Sequence, residues 1–262
     1  MGEWAGPLPS IRLGRLAQTL RRLADAGYRD FYEGEIAADL VKDAEDLGIP
    51  LTAGDLAGYQ PHLTPVERGF YRGHEIDVVP GLTAGPTLEA ALRTLESHLP
   101  DPGTTPGVDA YQAYARTLFD AFDHRLAYVG DVPDSGPAAH TTHLAVADRD
   151  GNLVALTMTL LSLFGSKVMM PRTGVLMNNG MMWFDPRPGR PNSIAPGKRP
   201  LSNMCPTILL RDDGQRFALG ASGGRRIMPA VFQLISFLTD YGMNVGDAMH
   251  QPRLDISGTE LV

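Results

Sequence analysis

The chain has 262 residues, 43% of them hydrophobic and 20% charged, with 29 Gly and 21 Pro dispersed along it, which excludes a collagen, a coiled coil and a largely disordered polymer. That length suits one large α/β domain without forcing two. Lys plus Arg number 23 against 30 Asp plus Glu, a formal charge of -7, which argues against nucleic acid and anionic membrane as partners and for small molecules.

The N-terminal stretch Met1-Gly2-Glu3-Trp4-Ala5-Gly6 has no basic n-region and no apolar h-region, so no secretory signal is visible and the compartment stays open. Ser10 ahead of Leu13, Leu16, Leu20 and Leu23 predicts a capped helix closed by Gly27. Ile36, Leu40, Val41, Ala44 and Leu47 before Gly48 predict a second, and Thr52 with Asp55 caps a short third. Phe70, Ile76, Val78 and Val79 around Arg72-Gly73 predict a strand pair over 66–80, and Gly85-Pro86 open a helix carrying Leu88, Leu92 and Leu95. A longer helix is expected over 108–126. Residues 130–139 have no periodicity and several breakers, which marks an exposed linker and the main boundary. Beyond it, strands are predicted at 144–147, 153–160, 175–177, 207–210 and 217–219, then a helix over 227–238 and a short one over 245–249. The apolar stretches 153–164 and 229–238 are too short or too broken to cross a bilayer as a helix of roughly 20 residues, so no membrane span is expected. The lone Cys205 allows no internal disulfide and no cysteine metal cluster, and is expected in the core.

Chemistry concentrates in the hairpin 140–159. A two-residue turn at Asp150-Gly151 sets Thr142 opposite Thr159, whereas a three-residue loop sets Thr141 opposite Thr159. Either register brings a second threonine to within one pair of Thr141, where cross-strand side chains lie about 5 Å apart. A threonine hydroxyl needs a base, and its own free α-amino group, with an ordinary pKa of about 8, is one solution. The chain must then be cut before that threonine. Gly220-Ala-Ser-Gly-Gly-Arg-Arg-Ile227 is a glycine-rich strand-to-helix turn, read either as a set of amide donors for an oxyanion or as a tight structural turn. It fits neither a Walker A loop nor Gly-x-Gly-x-x-Gly. His140 and His143 point to opposite faces of an extended strand, which argues against a metal pair. Arg225 and Arg226 are read either as attracting an acidic substrate or as solvated or salt-bridging.

Thr-Thr-His (141–143), Asp-x-Asp-Gly-Asn (148–152), Thr-x-Thr (157–159), Phe164-Gly165, Asn178-Asn179, Lys-Arg-Pro-Leu-Ser (198–202), Pro206-Thr207 and Gly-Gly-x-Arg-Ile (223–227) together resemble the gamma-glutamyltranspeptidase family of N-terminal-nucleophile hydrolases. The first half is similar to the end of that family's large subunit through Phe31-Tyr32-x-Gly34, residues 52–59 and residues 70–80. The resemblance implies an α+β fold, the N-terminal-nucleophile αββα sandwich, incomplete in this truncated chain. It implies a large-subunit-like helical segment, 1–140, and a small-subunit-like β-rich segment, 141–262, produced by self-cleavage between His140 and Thr141 and kept as a processed pair. Thr141 would then be the nucleophile, Thr159 would steady its hydroxyl, and Gly223 and Gly224 would supply the oxyanion donors. The substrate would be a small amide or peptide such as glutathione, resolved by water or an amine acceptor, with no cofactor and no metal.

The chain departs from the family's pattern at four substrate-binding positions and in length. Its α-amino acid specificity rests on an Asn, a Gln or Glu, and an Asp, where this chain has Leu161, Gly180 and Trp183. A paired Ser-Ser that receives the substrate carboxylate has become Ser202-Asn203, which keeps two hydrogen-bonding side chains. Trp183 with Met181 and Met182 is read either as a more apolar pocket, suited to an uncharged or glutaryl-like acyl chain, or as core. The family's long amino-terminal region has no counterpart before Met1 and its carboxy-terminal portion none beyond Leu261-Val262, so an uncovered sheet edge or face, with poor solubility or a partner chain, is expected. Two alternatives stand beside the gamma-glutamyl reading: a β-lactam (cephalosporin or glutaryl) acylase of the same superfamily, and a catalytically silent homologue or binding module.

Overall fold

The computed structural model describes residues 13–129 and 139–256. Ser10 and residues 130–138 of the expected linker lie outside the described residues, but the first helix starts at Leu16 with Arg15 at its N-cap and no side-chain cap bond, which corrects the cap expected at Ser10. The chain divides into two compact units, one within Met1–Leu63 and Phe164–Asn178, the other within Thr64–Leu163 and Asn179–Val262.

The first unit is helical: α1 (Leu16–Ala26), α2 (Asp30–Glu33), α3 (Glu35–Leu47) and α4 (Ala53–Ala57). Gly27 and Gly48 close α1 and α3 at positive φ, and Thr52 and Asp55 form the capping box of α4. Ile36, Leu40 and Ala44 pack on Met170, joined by Phe31 and Val175. The strand predicted over 175–177 is replaced by a tight loop with one isolated bridge, Met169 to Leu176. Residues 168–170 face 175–177, with Met170 N–H donating to the Val175 carbonyl and Met177 N–H to the Val168 carbonyl, both at 2.9 Å, but left-handed Lys167 at one end and Gly174 at the turn confine the pairing to these residues, too few for a ladder.

Asp30 accepts both ends of the Arg22 guanidinium at 2.7 and 2.8 Å and the backbone N–H of Ile36 at 3.1 Å. The Arg22 hydrogen bonds hold its carboxyl down at about 2. A depressed carboxyl stabilises the fold fully above the ordinary carboxylate range, and that contribution is lost as pH falls from about 4 through the folded value. Asp30→Asn is therefore expected to flatten the acid side of the stability curve between about pH 5 and about pH 2, measured by urea titration at each pH. An unchanged acid slope would remove this pair from the account.

The second unit comprises β1 (Glu67–Tyr71), β2 (His74–Val78), α5 (Gly85–His98), α6 (Val108–His124), a π-type turn (Arg125–Val129), β3 (Ala139–Ala147), β4 (Leu153–Ser162), β5 (Thr207–Leu210), β6 (Arg216–Leu219), α7 (Ile227–Thr239) and α8 (Val245–His250), with 3-10 turns at Gly180–Trp183 and Gly224–Arg226. Four antiparallel strands run in the order β1-β2-β5-β6, and β3 pairs with β4 in a second sheet. The β2–β5 ladder joins segments from both sides of residue 140, Ile76 facing Leu209 and Val78 facing Thr207. Tyr71, Ile76, Val78 and Leu209 of this sheet share one core with Leu88, Leu92 and Leu95 of α5, Tyr114 and Leu118 of α6, and Val231, Phe232, Ile235 and Phe237 of α7. Cys205 is buried there, and burial pushes its thiol up to about 12. The hairpin β3–β4 contacts β6 and β5. Leu144, Val146, Val154, Leu156 and Met158 alternate with its other residues, so they share one face, and they are exposed. No helix among the described residues is long and apolar enough to cross a membrane.

Candidate active site

The register of the hairpin is set at its far end. Asp148 accepts the N–H groups of Asp150 and Asn152, both at 2.9 Å, and the Asn152 side-chain amide at 2.7 Å. These bonds, the Asn152 side chain first, hold the Asp148 carboxyl below the usual range. They enclose a three-residue loop with Gly151 at φ 82°. Counting back from it places Thr141 opposite Thr159, the second of the two registers expected from sequence. The register then shifts by one between Thr141 and His140, so His140 faces Leu161 and Ala139 faces Ser162. The Thr159 hydroxyl donates to the His140 carbonyl at 2.7 Å and accepts the Leu161 N–H at 2.8 Å. A hydroxyl therefore sits on the carbonyl of the 140–141 peptide, beside the Thr141 side chain. Leu161 itself takes φ 76°, a left-handed conformation strained for a branched side chain.

Asn179 secures the end of β4. Its Oδ1 accepts the Ser162 N–H at 3.0 Å, its Nδ2 donates to the Ser162 hydroxyl at 2.8 Å, and its backbone N–H donates to the Leu160 carbonyl at 3.1 Å. Gly180 and Trp183 bound the 3-10 turn that follows, where Met181 and Met182 are exposed, which corrects their reading as core. The Trp183 carbonyl accepts the side-chain N–H of the buried Asn192 at 2.6 Å, and Asn192 Oδ1 accepts the Leu201 N–H at 3.0 Å. Asn192 thereby ties the Gly180–Trp183 turn to the segment bearing Ser202 and Asn203. Both of those side chains are buried, and their backbone runs beside residues 82–84 through Ser202 N–H to Leu82 O at 2.8 Å and Ala84 N–H to Met204 O at 3.0 Å.

Gly223 at φ 114° and Gly224 at φ 63° turn the chain from β6 toward α7 in conformations open to glycine. The 3-10 turn they lead into packs against β3, and first-turn N–H groups lack intrahelical partners. Gly220 lies under the His143 ring, where an added Cβ would come within 2.2 Å of the ring atoms. His143 Nδ1 shares a hydrogen bond with the Thr157 hydroxyl at 2.8 Å, and among the described residues its buried Nε2 has no partner. Burial pushes its pKa down. Gly220→Ala is accordingly expected to cost about 1–3 kcal/mol by overpacking. Equilibrium unfolding checks this, and a neutral result would mean that His143 is free to move. Arg225 is buried over the Phe122 ring, 5.1 Å from its centroid, and Arg226 pairs with Asp255 at 2.7 Å. Among the described residues no group of three or more His, Cys, Asp or Glu is placed to hold a metal.

Sequence reasoning missed Asn192 and Arg125. Arg125 is 1% exposed and donates through Nη1 to the Thr83 carbonyl (3.2 Å) and Thr87 hydroxyl (3.0 Å), and through Nη2 to the Ser202 carbonyl (2.7 Å) and Asn203 Oδ1 (3.2 Å). The signal was its place after Tyr114, Leu118 and Phe122, at helical spacing on a buried stripe, where a charged residue is informative.

The sequence profile of Gamma-glutamyltranspeptidase matches residues 7–139 and 132–259. The chain belongs to the gamma-glutamyltranspeptidase family, a family of hydrolases and transferases of the N-terminal-nucleophile type. It is 30% identical over 292 residues to a glutathione hydrolase proenzyme of Bacillus subtilis subsp. natto, covering 91% of this chain and 50% of that one. It is 33% identical over 289 residues to the acylase ACY 1 proenzyme of Pseudomonas sp. (strain SE83), covering 95% and 51%. The crystal structure of cephalosporin acylase from Bacillus halodurans superimposes with a TM-score of 0.82 at 27% identity, over 93% of this chain and 50% of that chain. The chain spans about half the length of these relatives.

Proposed function

We propose that this chain is an N-terminal-nucleophile amidohydrolase or acyltransferase with Thr141 as its nucleophile. The observation that carries the reading is the Thr141–Thr159 pair, with the Thr159 hydroxyl donating to the His140 carbonyl at 2.7 Å. In the maturation step the Thr141 hydroxyl oxygen attacks the His140 carbonyl carbon while Thr159 stabilises the oxygen that gains charge. The C–N bond breaks, the nitrogen takes the proton lost by the hydroxyl, and an ester is left. Water hydrolyses that ester to a His140 carboxylate and a free Thr141 amine and hydroxyl. The new amine then serves as base for the same hydroxyl on an amide substrate, with Gly223 and Gly224 N–H groups as oxyanion donors, and water or an amine releases the acyl group.

The architecture is read as part of an αββα sandwich divided into 1–140 and 141–262. The β2–β5 ladder and the shared core of α5, α6 and α7 support a pair that stays associated after cleavage. On the acyl side, Leu161, Gly180 and Trp183 offer no side-chain carboxylate to a substrate ammonium, while Ser202 and Asn203 offer polar side chains to an acid terminus. This favours a glutaryl-like acyl group, with gamma-glutamyl as the alternative. Anilides of glutarate, γ-glutamate and butyrate test it. The expected order of kcat/KM places glutaryl first; a γ-glutamyl optimum would establish head-group recognition by other residues, and no turnover of any anilide by a cleaved chain would end the enzyme reading.

A further inference from the structure

We infer that Arg125 is a positioning residue that fixes the Asn203 side-chain amide with its NH2 end toward the acyl pocket, so that this site selects acyl groups ending in a carboxylate. The inference rests on the reading above that Ser202 and Asn203 line that pocket. An asparagine, unlike a hydroxyl, has two chemically different ends, one accepting and one donating, and which end faces a ligand decides whether an anion is attracted or repelled. Nη2 of Arg125 lies 3.2 Å from the Asn203 side chain and 2.7 Å from the Ser202 carbonyl. A guanidinium only donates, so the Asn203 atom it meets has to be Oδ1, and Nδ2 is left as the outward group. Among the described residues Nδ2 has no hydrogen-bond partner.

The arginine is itself held rigidly. Its Nη1 is bonded to the Thr83 carbonyl and the Thr87 hydroxyl at the start of α5, and it opens the π-type turn that ends α6. Residues 82–84 are bonded in turn to residues 202–204, so the guanidinium bridges two backbone segments that already touch. Inverting the amide would set its NH2 against the guanidinium donors and leave a buried cation short of an acceptor, which disfavours the flipped state.

The test is equilibrium binding of glutarate and of butyrate, which lacks the second carboxylate, to the full chain by calorimetry. The parent is expected to prefer glutarate. Asn203→Asp keeps an acceptor for Arg125 but replaces the outward donor by an oxygen, and the preference is expected to fall about 10-fold or more. Arg125→Gln, checked for a cooperative melt, is expected to reduce it similarly because glutamine donates and accepts and no longer dictates the amide's direction. In an Asn203→Ser background, Arg125→Gln is expected to change the preference little, since a hydroxyl has no ends to invert. Retention of the parent preference in Asn203→Asp, equal weakening of both acids by Arg125→Gln, or no preference in the parent would each overturn the inference. If Arg125→Gln fails to fold, Asn203→Asp decides alone. Chain cleavage, scored separately by mass, distinguishes the two readings: an uncut chain that still prefers glutarate would sink the catalytic proposal and leave this one standing, and a cleaved, active chain without the preference would do the reverse.

Discussion

Thr141→Ala is expected to remain one chain and to lose amide hydrolysis by at least about 10⁴-fold, the scale seen when an acyl-transfer nucleophile is removed. Alanine carries no hydroxyl for the His140 carbonyl or for a substrate amide, so one substitution removes both reactions. Thr141→Ser, which keeps the hydroxyl, is expected to retain both more slowly. Thr159→Val separates the roles further. It deletes the donor 2.7 Å from the His140 carbonyl and the acceptor of the Leu161 N–H, and a lost oxyanion donor slows acyl transfer roughly 10²–10³-fold. Cleavage at the parent's rate in Thr159→Val would mean that this hydrogen bond has no part in maturation.

Asp240→Ala is expected to cost about 3–5 kcal/mol, the range for stranding the partner of a buried charge. The Asp240 side chain has no solvent exposure and accepts from the Tyr71 hydroxyl at 2.5 Å, from Arg72 Nε at 3.0 Å and from the Ser236 hydroxyl. Ser236 meets the Tyr114 hydroxyl at 2.7 Å, so one carboxylate links the β1–β2 turn, α6 and α7. Burial pushes both tyrosine hydroxyls far up, which keeps them protonated. Urea unfolding of Asp240→Ala against Tyr71→Phe, expected to lose only about 1–3 kcal/mol, checks the ranking. Equal losses would show that the carboxylate gives no more than the single Tyr71 bond.

Most helices were legible from apolar spacing and a closing glycine: Ile36, Leu40 and Ala44 are a buried stripe ended by Gly48, whereas in α1, ended by Gly27, Leu16 and Leu23 are half-buried, Leu20 is exposed and the buried residue is Thr19. The hairpin was legible to within two registers. The choice between them lies in the Asp148–Asn152 hydrogen bonds, a local geometry that alternation cannot supply. The strand expected at 175–177 shows the converse, since apolar residues build a ladder only beside a partner extended over several residues, and left-handed Lys167 and Gly174 cut the facing segment to 168–170. At the site, the threonines and glycines were visible as types at suggestive spacings. Arg125, Asn192 and the His143–Gly220 contact were not, because each works by joining segments far apart in sequence.

The central claim is that the Thr141 hydroxyl opens the peptide before it. Intact mass of the freshly purified chain followed over days, with N-terminal sequencing of any product, tests it most directly. The account predicts that the 28.3 kDa chain gives way to two fragments, the second beginning Thr-Thr-His-Leu. A chain that stays whole, or one cut at any other bond, would contradict it.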